Sequence, residues 1–220
     1  MDTIQCIETR MSIRGFKKKP VPQELLQKII ATACHTPSYK NSQPWEVMVI
    51  SGEKKQELST MLVELLDSGT PSSPDLAEPK SWPEAEQARI NDLFAKRKEI
   101  TGIDLTAPEI IIKAKKANFR FYGAPHGIFL FQDKALSEWS ILDIGLFAQS
   151  LMLAAHAEGI GMVPQAFLTD YAQQVKDYLH VPASKRLILG LSVGYPDMDS
   201  PANGFKTPRS PVKDIATFIA

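Results

Sequence analysis

Three stretches of the chain carry side chains that could do chemistry together. The first is Arg10-Met11-Ser12-Ile13-Arg14. In extended backbone, alternation places Arg10, Ser12 and Arg14 on one side. Two guanidiniums and a hydroxyl converging in this way form a site for a phosphate or a carboxylate. A solvated basic turn running into Lys17-Lys18-Lys19 is the plainer alternative. The second stretch is Thr36-Pro37-Ser38-Tyr39-Lys40-Asn41-Ser42-Gln43-Pro44-Trp45, dense in turn formers and short polar groups. It reads as a stiff connection that points several hydrogen-bonding groups one way, or else as a turn closed by an Asx bond over a buried Trp. The third is the tail, where Lys206 and Arg209 stand between prolines. His126 beside a strand reads as a satisfied structural histidine rather than a catalyst. No Ser/His/Asp or Cys/His arrangement offers a nucleophile.

The elements that must hold these stretches follow from periodicity. Ile4, Ile7 and Met11 fall at helical spacing over residues 3 to about 12. A helix with Pro22 in its first turn reaches about Cys34. The polar connection follows, then a strand at Val47-Met48-Val49-Ile50. A helix over about 53–67 carries Leu58, Met61, Leu62, Leu65 and Leu66 on its apolar face. Residues 68–83 hold four prolines and several serines, with Trp82 near the end. A loop this long in a compact domain is functional or disordered. A charged amphipathic helix over about 84–100, anchored by Ile90, Leu93 and Phe94, joins it as an insertion covering a site. Another helix runs from Pro108 towards Lys116. Gly127 to Phe131 reads as a strand buried on both faces. The helix opened by Ser137 or Ser140 and ending near Gly159 is apolar on nearly every face, which calls for burial and, in a chain this short, for a second subunit. A short strand within 159–167, a helix over 170–180, a buried strand over 187–195 and a tail ending in Ile215, Phe218 and Ile219 complete the chain.

Composition narrows the class. The 44% hydrophobic and 23% charged residues are those of an ordinary globular protein. A formal net charge of zero argues against a nucleic-acid or membrane-surface partner. No apolar run is expected to span a bilayer; Asp143, Gln149 and Ser150 interrupt the most apolar helix. The two cysteines, Cys6 and Cys34, make no motif, and with four scattered histidines they give no zinc pattern. Reduced thiols and no apparent signal peptide point to a cytoplasmic protein.

Four motifs taken in order resemble one known family. They are Arg10-x-Ser12-x-Arg14, then Pro37-Ser38-x-x-Asn41-x-Gln43-Pro44-Trp45. Gly159-x-Gly161 with Pro164-Gln165 comes next, and Gly190-x-x-x-Gly194-Tyr195-Pro196 with a basic tail is last. They span nearly the whole chain and resemble the flavin-dependent nitroreductases, which bind FMN and use NADH or NADPH. The insert at 68–120 and Phe121-Tyr122-Gly123-Ala124-Pro125 resemble the branch with chains near this length. The resemblance implies a single α+β domain over 1–220, with a mostly antiparallel central sheet flanked by helices. It implies an intertwined homodimer in which the helix at 139–158 forms much of the contact and the tail at 201–220 wraps the partner.

For the site, the resemblance implies that Arg10, Ser12, Lys206 and Arg209 hold the FMN phosphate. Arg14 would sit at the pyrimidine end of the ring, near N1 and O2. Asn41 and Asn118 would bond the ring edge, and Pro37, Ser38 and Tyr39 would reach it from the partner subunit. The N–H of Gln165 or of Ala166 would face N5; some members have Glu-Gly where this chain has Gln165-Ala166. Met11, Gln43 and Pro164 complete the cofactor-binding set. The expected cycle is ping-pong: NAD(P)H reduces FMN and leaves, and a flat nitroaromatic or quinone then takes its place. Dehalogenation, flavin breakdown and enone reduction on the same scaffold are rival chemistries. A flavin-binding or sensing module without turnover, and a domain with no cofactor, are rivals of a different kind.

Overall fold

The computed structural model describes residues 2–219. Met1 and Ala220, the outermost residues of the expected domain and tail, lie outside the described residues. Four strands, β1 (Glu46–Ser51), β2 (His126–Asp133), β3 (Gly161–Gln165) and β4 (Lys185–Gly194), form one sheet in the order β1-β2-β4-β3. Every ladder is antiparallel. The fold is the expected α+β arrangement.

Helices cover both faces because β2 has two apolar faces. Ile128 and Leu130 point into one core with α2 (Gln23–Ala33) and α6 (Glu138–Ala157). Phe129 and Phe131 point into another with α3 (Gly52–Asp67), α5 (Pro108–Phe119) and α7 (Ala172–Tyr178). All four side chains are 0–1% exposed, and each buried side chain of this size contributes about 1.5–3 kcal/mol. His126, at the start of β2, is the structural histidine expected. Its Nε2 accepts from the Val21 N–H, and its other ring nitrogen meets the Ser51 hydroxyl. Burial first, then the nearby Lys55, lowers its pKa.

Several expectations need correction. Helix α1 (Thr3–Thr9) stops before Met11, because Arg10 has extended backbone. Its Ile4 and Ile7 are exposed, and Cys6 is the residue it buries. Pro22 flanks α2 rather than opening it. Helix α5 runs on to Phe119, so Asn118 lies in its last turn. Helix α6 is long and apolar enough to cross a membrane by length and composition, contrary to expectation. Its inner face is core, and Asp143 is buried within it. Helix α4 (Glu84–Thr101) buries none of its residues; Ile90, Leu93 and Phe94 are only half-buried.

Two tethers fix the segments that matter for the site. The first holds the start of the proline-rich loop. Lys176, 1% exposed, pairs with Asp75 at 2.7 Å. The same carboxylate accepts the Leu187 N–H at 2.8 Å. Ser73 N–H and Tyr171 O–H add bonds to the Asp170 and Thr70 carbonyls. The second tether holds residues 12–17 along the sheet edge. Ile13 N–H donates to the Met162 carbonyl, and Lys17 N–H to that of Tyr195. Buried Asn203 locks this segment to the tail. Its Oδ1 accepts Arg14 N–H at 2.7 Å and Gly15 N–H at 3.2 Å. Its Nδ2 donates to the Gly15 and Asp197 carbonyls at 2.9 and 2.8 Å. Gly15 is needed there, since a Cβ would stand 2.3 Å from Ser200 Oγ.

Removing one partner of a buried pair strands the other charge, so Asp75→Ala should lose about 3–5 kcal/mol in urea unfolding. A loss under about 1 kcal/mol would show that Lys176 behaves like a surface lysine. Asn203→Ala should cost about 1–3 kcal/mol, because the part-buried N–H groups of Arg14 and Gly15 lose their acceptor. An unchanged denaturation midpoint for that variant would remove the clamp from the account.

Candidate functional site

Arg10, Ser12 and Arg14 do converge. After α1 the chain is extended, and Ser12 pairs with Met162 as a parallel bridge on the free edge of β3. Gly161 permits this close approach: a Cβ there would lie 2.7 Å from the Ile13 side chain. The tail returns over the same residues. Arg10, Met11, Ser12 and Arg14 line one cavity of about 510 Å³ together with Ile7, Glu8, Phe205, Lys206, Thr207 and Arg209. The phosphate-binding set expected from the sequence is thus assembled by one chain.

Electrostatics define what this cavity takes. Arg10 Nε is buried with no hydrogen bond to the protein. Burial holds the Arg10 pKa below its usual range, and the like charge of Arg209 lowers it further. Lys206 Nζ gives one hydrogen to the Glu8 carbonyl at 2.7 Å and keeps two. Arg209 uses NH1 on the Thr207 and Pro208 carbonyls and the Thr207 hydroxyl. A multiply charged oxyanion would satisfy the orphaned donor and relieve the repulsion.

Arg14 also lines a second cavity, of about 560 Å³. Val163, Pro164, Gln165 and Ala166 form its floor at the end of β3. Asn118 and Tyr122 stand at its side, and Phe94, Arg97, Ile103, Leu105, Ile110, Ile111 and Phe167 form a largely apolar wall. The Gln165 side chain is not available to a ligand. Its Nε2 donates to the Asn118 carbonyl and Oδ1, and its Oε1 accepts the Ser192 hydroxyl. Asn118 spends Oδ1 on Gln165 and one Nδ2 hydrogen on the Ala114 carbonyl, leaving one hydrogen.

The Pro37–Gln43 stretch lines neither cavity of its own chain. It is held elsewhere. Tyr39 N–H is shared by both Asp143 carboxylate oxygens at 3.2 Å, and its ring stacks on Trp139 at 6.0 Å. Trp45 stacks on Phe147 at 4.8 Å. Lys40, Asn41 and Gln43 all have left-handed backbone, a strain that persists where function demands a fixed loop. Gln43 N–H bonds the Ser38 hydroxyl, and Gln43 Nε2 approaches Asn41 Oδ1 at 3.3 Å.

None of residues 68–83 lines the cavity at Arg14; from the insert, only α4 and residues 103–118 do so. Sequence reading missed Asn203 and Arg97, and it noted Asp143 only as an interruption of the apolar helix. The signal for Asp143 was an acid in an otherwise apolar helix, which needs a donor, but its partner Tyr39 lies 104 residues away. The partners of Asn203 and the placement of Arg97 depend on tertiary contacts.

Comparison with known proteins agrees with this geometry. The profile described as "Nitroreductase family" matches residues 7–195. A 4-nitrobenzoate reductase of Pseudomonas putida is 32% identical over 218 residues, covering 97% of this chain and 93% of the relative. Nitroreductase NfnB of Mycolicibacterium smegmatis is 32% identical, covering 96% of this chain and 90% of the relative. The crystal structure of the FMN-dependent nitroreductase NfnB from Mycobacterium smegmatis with NADPH superposes with a TM-score of 0.93 at 31% identity. It covers 99% of this chain and 97% of that one. On the profile match and on full-length likeness in both sequence and fold, the chain belongs to the nitroreductase family.

Proposed function

We propose that the chain is an FMN-dependent NAD(P)H oxidoreductase that reduces nitroaromatic or quinone-type acceptors by ping-pong hydride transfer. The observation that carries this reading is Arg14, which joins a cationic cavity to an apolar one. A ligand with a phosphate at one end and a flat ring at the other fits that pair. The buried, unpartnered Arg10 Nε is the feature that asks for the phosphate. Family relatives described as FMN-dependent and as crystallised with NADPH support the same choice.

Bound FMN would supply two-electron hydride chemistry between donor and acceptor. The chain's own residues do the rest. Arg10, Ser12, Lys206 and Arg209 hold the phosphate, with Met11 beside them. Arg14, which lines both cavities, would stabilise negative charge on a reduced ring held there. Asn118 has one free amide hydrogen for the ring edge, and the backbone at Pro164, Gln165 and Ala166 supplies the floor. Phe94, Leu105, Ile110 and Phe167, all half-buried, give the ring an apolar wall. One NAD(P)H and one proton convert a nitro group to a nitroso group and water.

The same reading makes the working unit a cytoplasmic homodimer, with small molecules rather than nucleic acid or membrane as its partners. Helix α6 exposes Trp139, Leu142 and Leu146 at 60%, 54% and 44%. The strained loop carrying Pro37, Ser38, Tyr39, Asn41 and Gln43 is bonded and stacked onto this helix. A second copy docked there would bring the loop to its neighbour's cavity. The tail, with Ile215, Phe218 and Ile219 at 70%, 88% and 94% exposure, would wrap the partner.

The purified protein should be yellow and release FMN on heating. Under argon its colour should bleach with NADH or NADPH and return on adding a nitroarene. A colourless, correctly folded preparation that does not take up FMN would overturn the proposal. A charge-assisted hydrogen bond contributes about 1.5–3 kcal/mol. If Arg14 makes it mainly to the reduced ring, Arg14→Ala should lower the two-electron potential by roughly 30–65 mV. Arg10→Ala and Arg209→Ala should lose more flavin than Arg14→Ala. Equal flavin loss in all three, or an unmoved potential, would count against the role given to Arg14. Sedimentation at micromolar concentration should show a dimer; a stable folded monomer would remove the shared-site reading.

A further inference from the structure

Helix α4 sends two side chains into the ring-sized cavity, Phe94 and Arg97. Its other cations are occupied: Arg89 pairs with Glu86, Lys96 with Asp92 at 2.7 Å, and Lys98 with Asp104 at 2.7 Å. Among the described residues no carboxylate pairs with Arg97. It is half-buried against an apolar wall. The residues lining that cavity include three cations, Arg14, Arg97 and Lys113, and no acid. Burial lowers the Arg97 pKa, the like charge of Arg14 lowers it further, and Tyr122 acts the other way.

A guanidinium half out of water, beside a second guanidinium and without a counterion, is an unfavourable arrangement in the isolated protein. It becomes favourable when a ligand carries the missing charge. The planar fork of donors matches a carboxylate with two parallel bonds. The surrounding Phe94, Ile103, Ile110, Ile111 and Phe167 match an aromatic ring. Arg14 already serves the cofactor in the reading above and Lys113 is exposed to water, so Arg97 is the half-buried cation left for a second ligand. Its helix buries nothing in the core, so it holds this side chain without contributing to the central packing.

We propose that Arg97 is a specificity-determining residue that selects aromatic acceptors carrying a carboxylate over neutral acceptors of the same shape. The inference rests on the oxidoreductase reading, and a binding measurement separates the two. Calorimetric titration of the FMN-loaded protein with benzoate and with benzamide compares an anion with a neutral near-isostere. Benzoate should bind more tightly, and Arg97→Gln should cut the benzoate-to-benzamide affinity ratio by about tenfold to a hundredfold. Arg97→Lys should restore part of that ratio. In turnover, the kcat/KM ratio for 4-nitrobenzoate over 4-nitrobenzamide should fall by a similar factor, mainly through KM. Circular dichroism and flavin content confirm that each variant is folded and loaded.

An equal loss for both ligands, no loss for either, or a wild type that does not prefer benzoate would overturn the proposal. So would a defect confined to reduction by NADPH and absent with NADH, which would give Arg97 to the donor's phosphate instead. If wild-type protein selects benzoate through Arg97 yet reduces neither nitro compound, the anion site stands and the oxidoreductase reading fails.

Discussion

The site depends on one constraint: the backbone at Arg14 and Gly15 cannot move relative to the tail. Asn203 uses one acceptor atom and both amide hydrogens to bind four backbone groups on three residues, Arg14, Gly15 and Asp197. Because it is buried, water does not compete for these bonds. The consequence is geometric. Arg10 to Arg14 come from the N-terminus, and Lys206 and Arg209 from the C-terminus. Only a link between the two segments can hold like charges against one another. Coulomb repulsion would otherwise separate long, flexible cationic side chains into solvent. The clamp therefore stores an electrostatic tension that an anionic ligand relieves.

Much of this fold was legible in the sequence. The alternation of Arg10, Ser12 and Arg14 and the continuous apolar run in β2 identified elements correctly, because each is a local pattern read against a fixed backbone period. The site was legible in part. The converging cations were visible because their spacing encodes their side of the strand. Asn203 was not, since an isolated asparagine between Ala202 and Gly204 looks like any turn residue. Its role comes from partners 6 and 188–189 residues away. The stripe of Ile4 and Ile7 misled for the opposite reason: helical spacing predicts a face, but not that the face is covered within one chain.

The insert shows the same limit. Proline density correctly marked 68–83 as irregular, and its length, with the charged helix that follows, suggested an insertion covering a site. The outcome turned on Asp75, which seeks the buried ammonium of Lys176 and the N–H of Leu187. A carboxylate with three such bonds, two from Lys176 and one from Leu187, pins its loop to α7 and β4. The part of the insert that faces the cavity is instead α4 and the segment after it, where core burial is absent. Rigidity and access are thus divided within one insertion: the start is tied to the sheet, and the following helix is free to differ in sequence without cost to the core.

That division bears on the charge of the molecule as a whole. Formal net charge is zero, with 25 basic and 25 acidic residues. The balance is not local. Along the exposed surface, cations meet carboxylates in pairs such as Lys28 with Glu158 and Lys54 with Glu57; pairs this exposed add little stability. Around Arg14 the pattern inverts. Arg10, Arg14, Arg97, Lys206 and Arg209 line two joined cavities, and Glu8, the one acidic residue there, accepts Lys206 through its backbone carbonyl. Concave, partly apolar walls focus the resulting field, so anions concentrate there although the protein as a whole is neutral. Composition averages this away: a zero net charge says nothing about a pocket. The physical quantity that matters for ligand choice is the number of cations without partners in one enclosed volume, and only the folded chain reveals it.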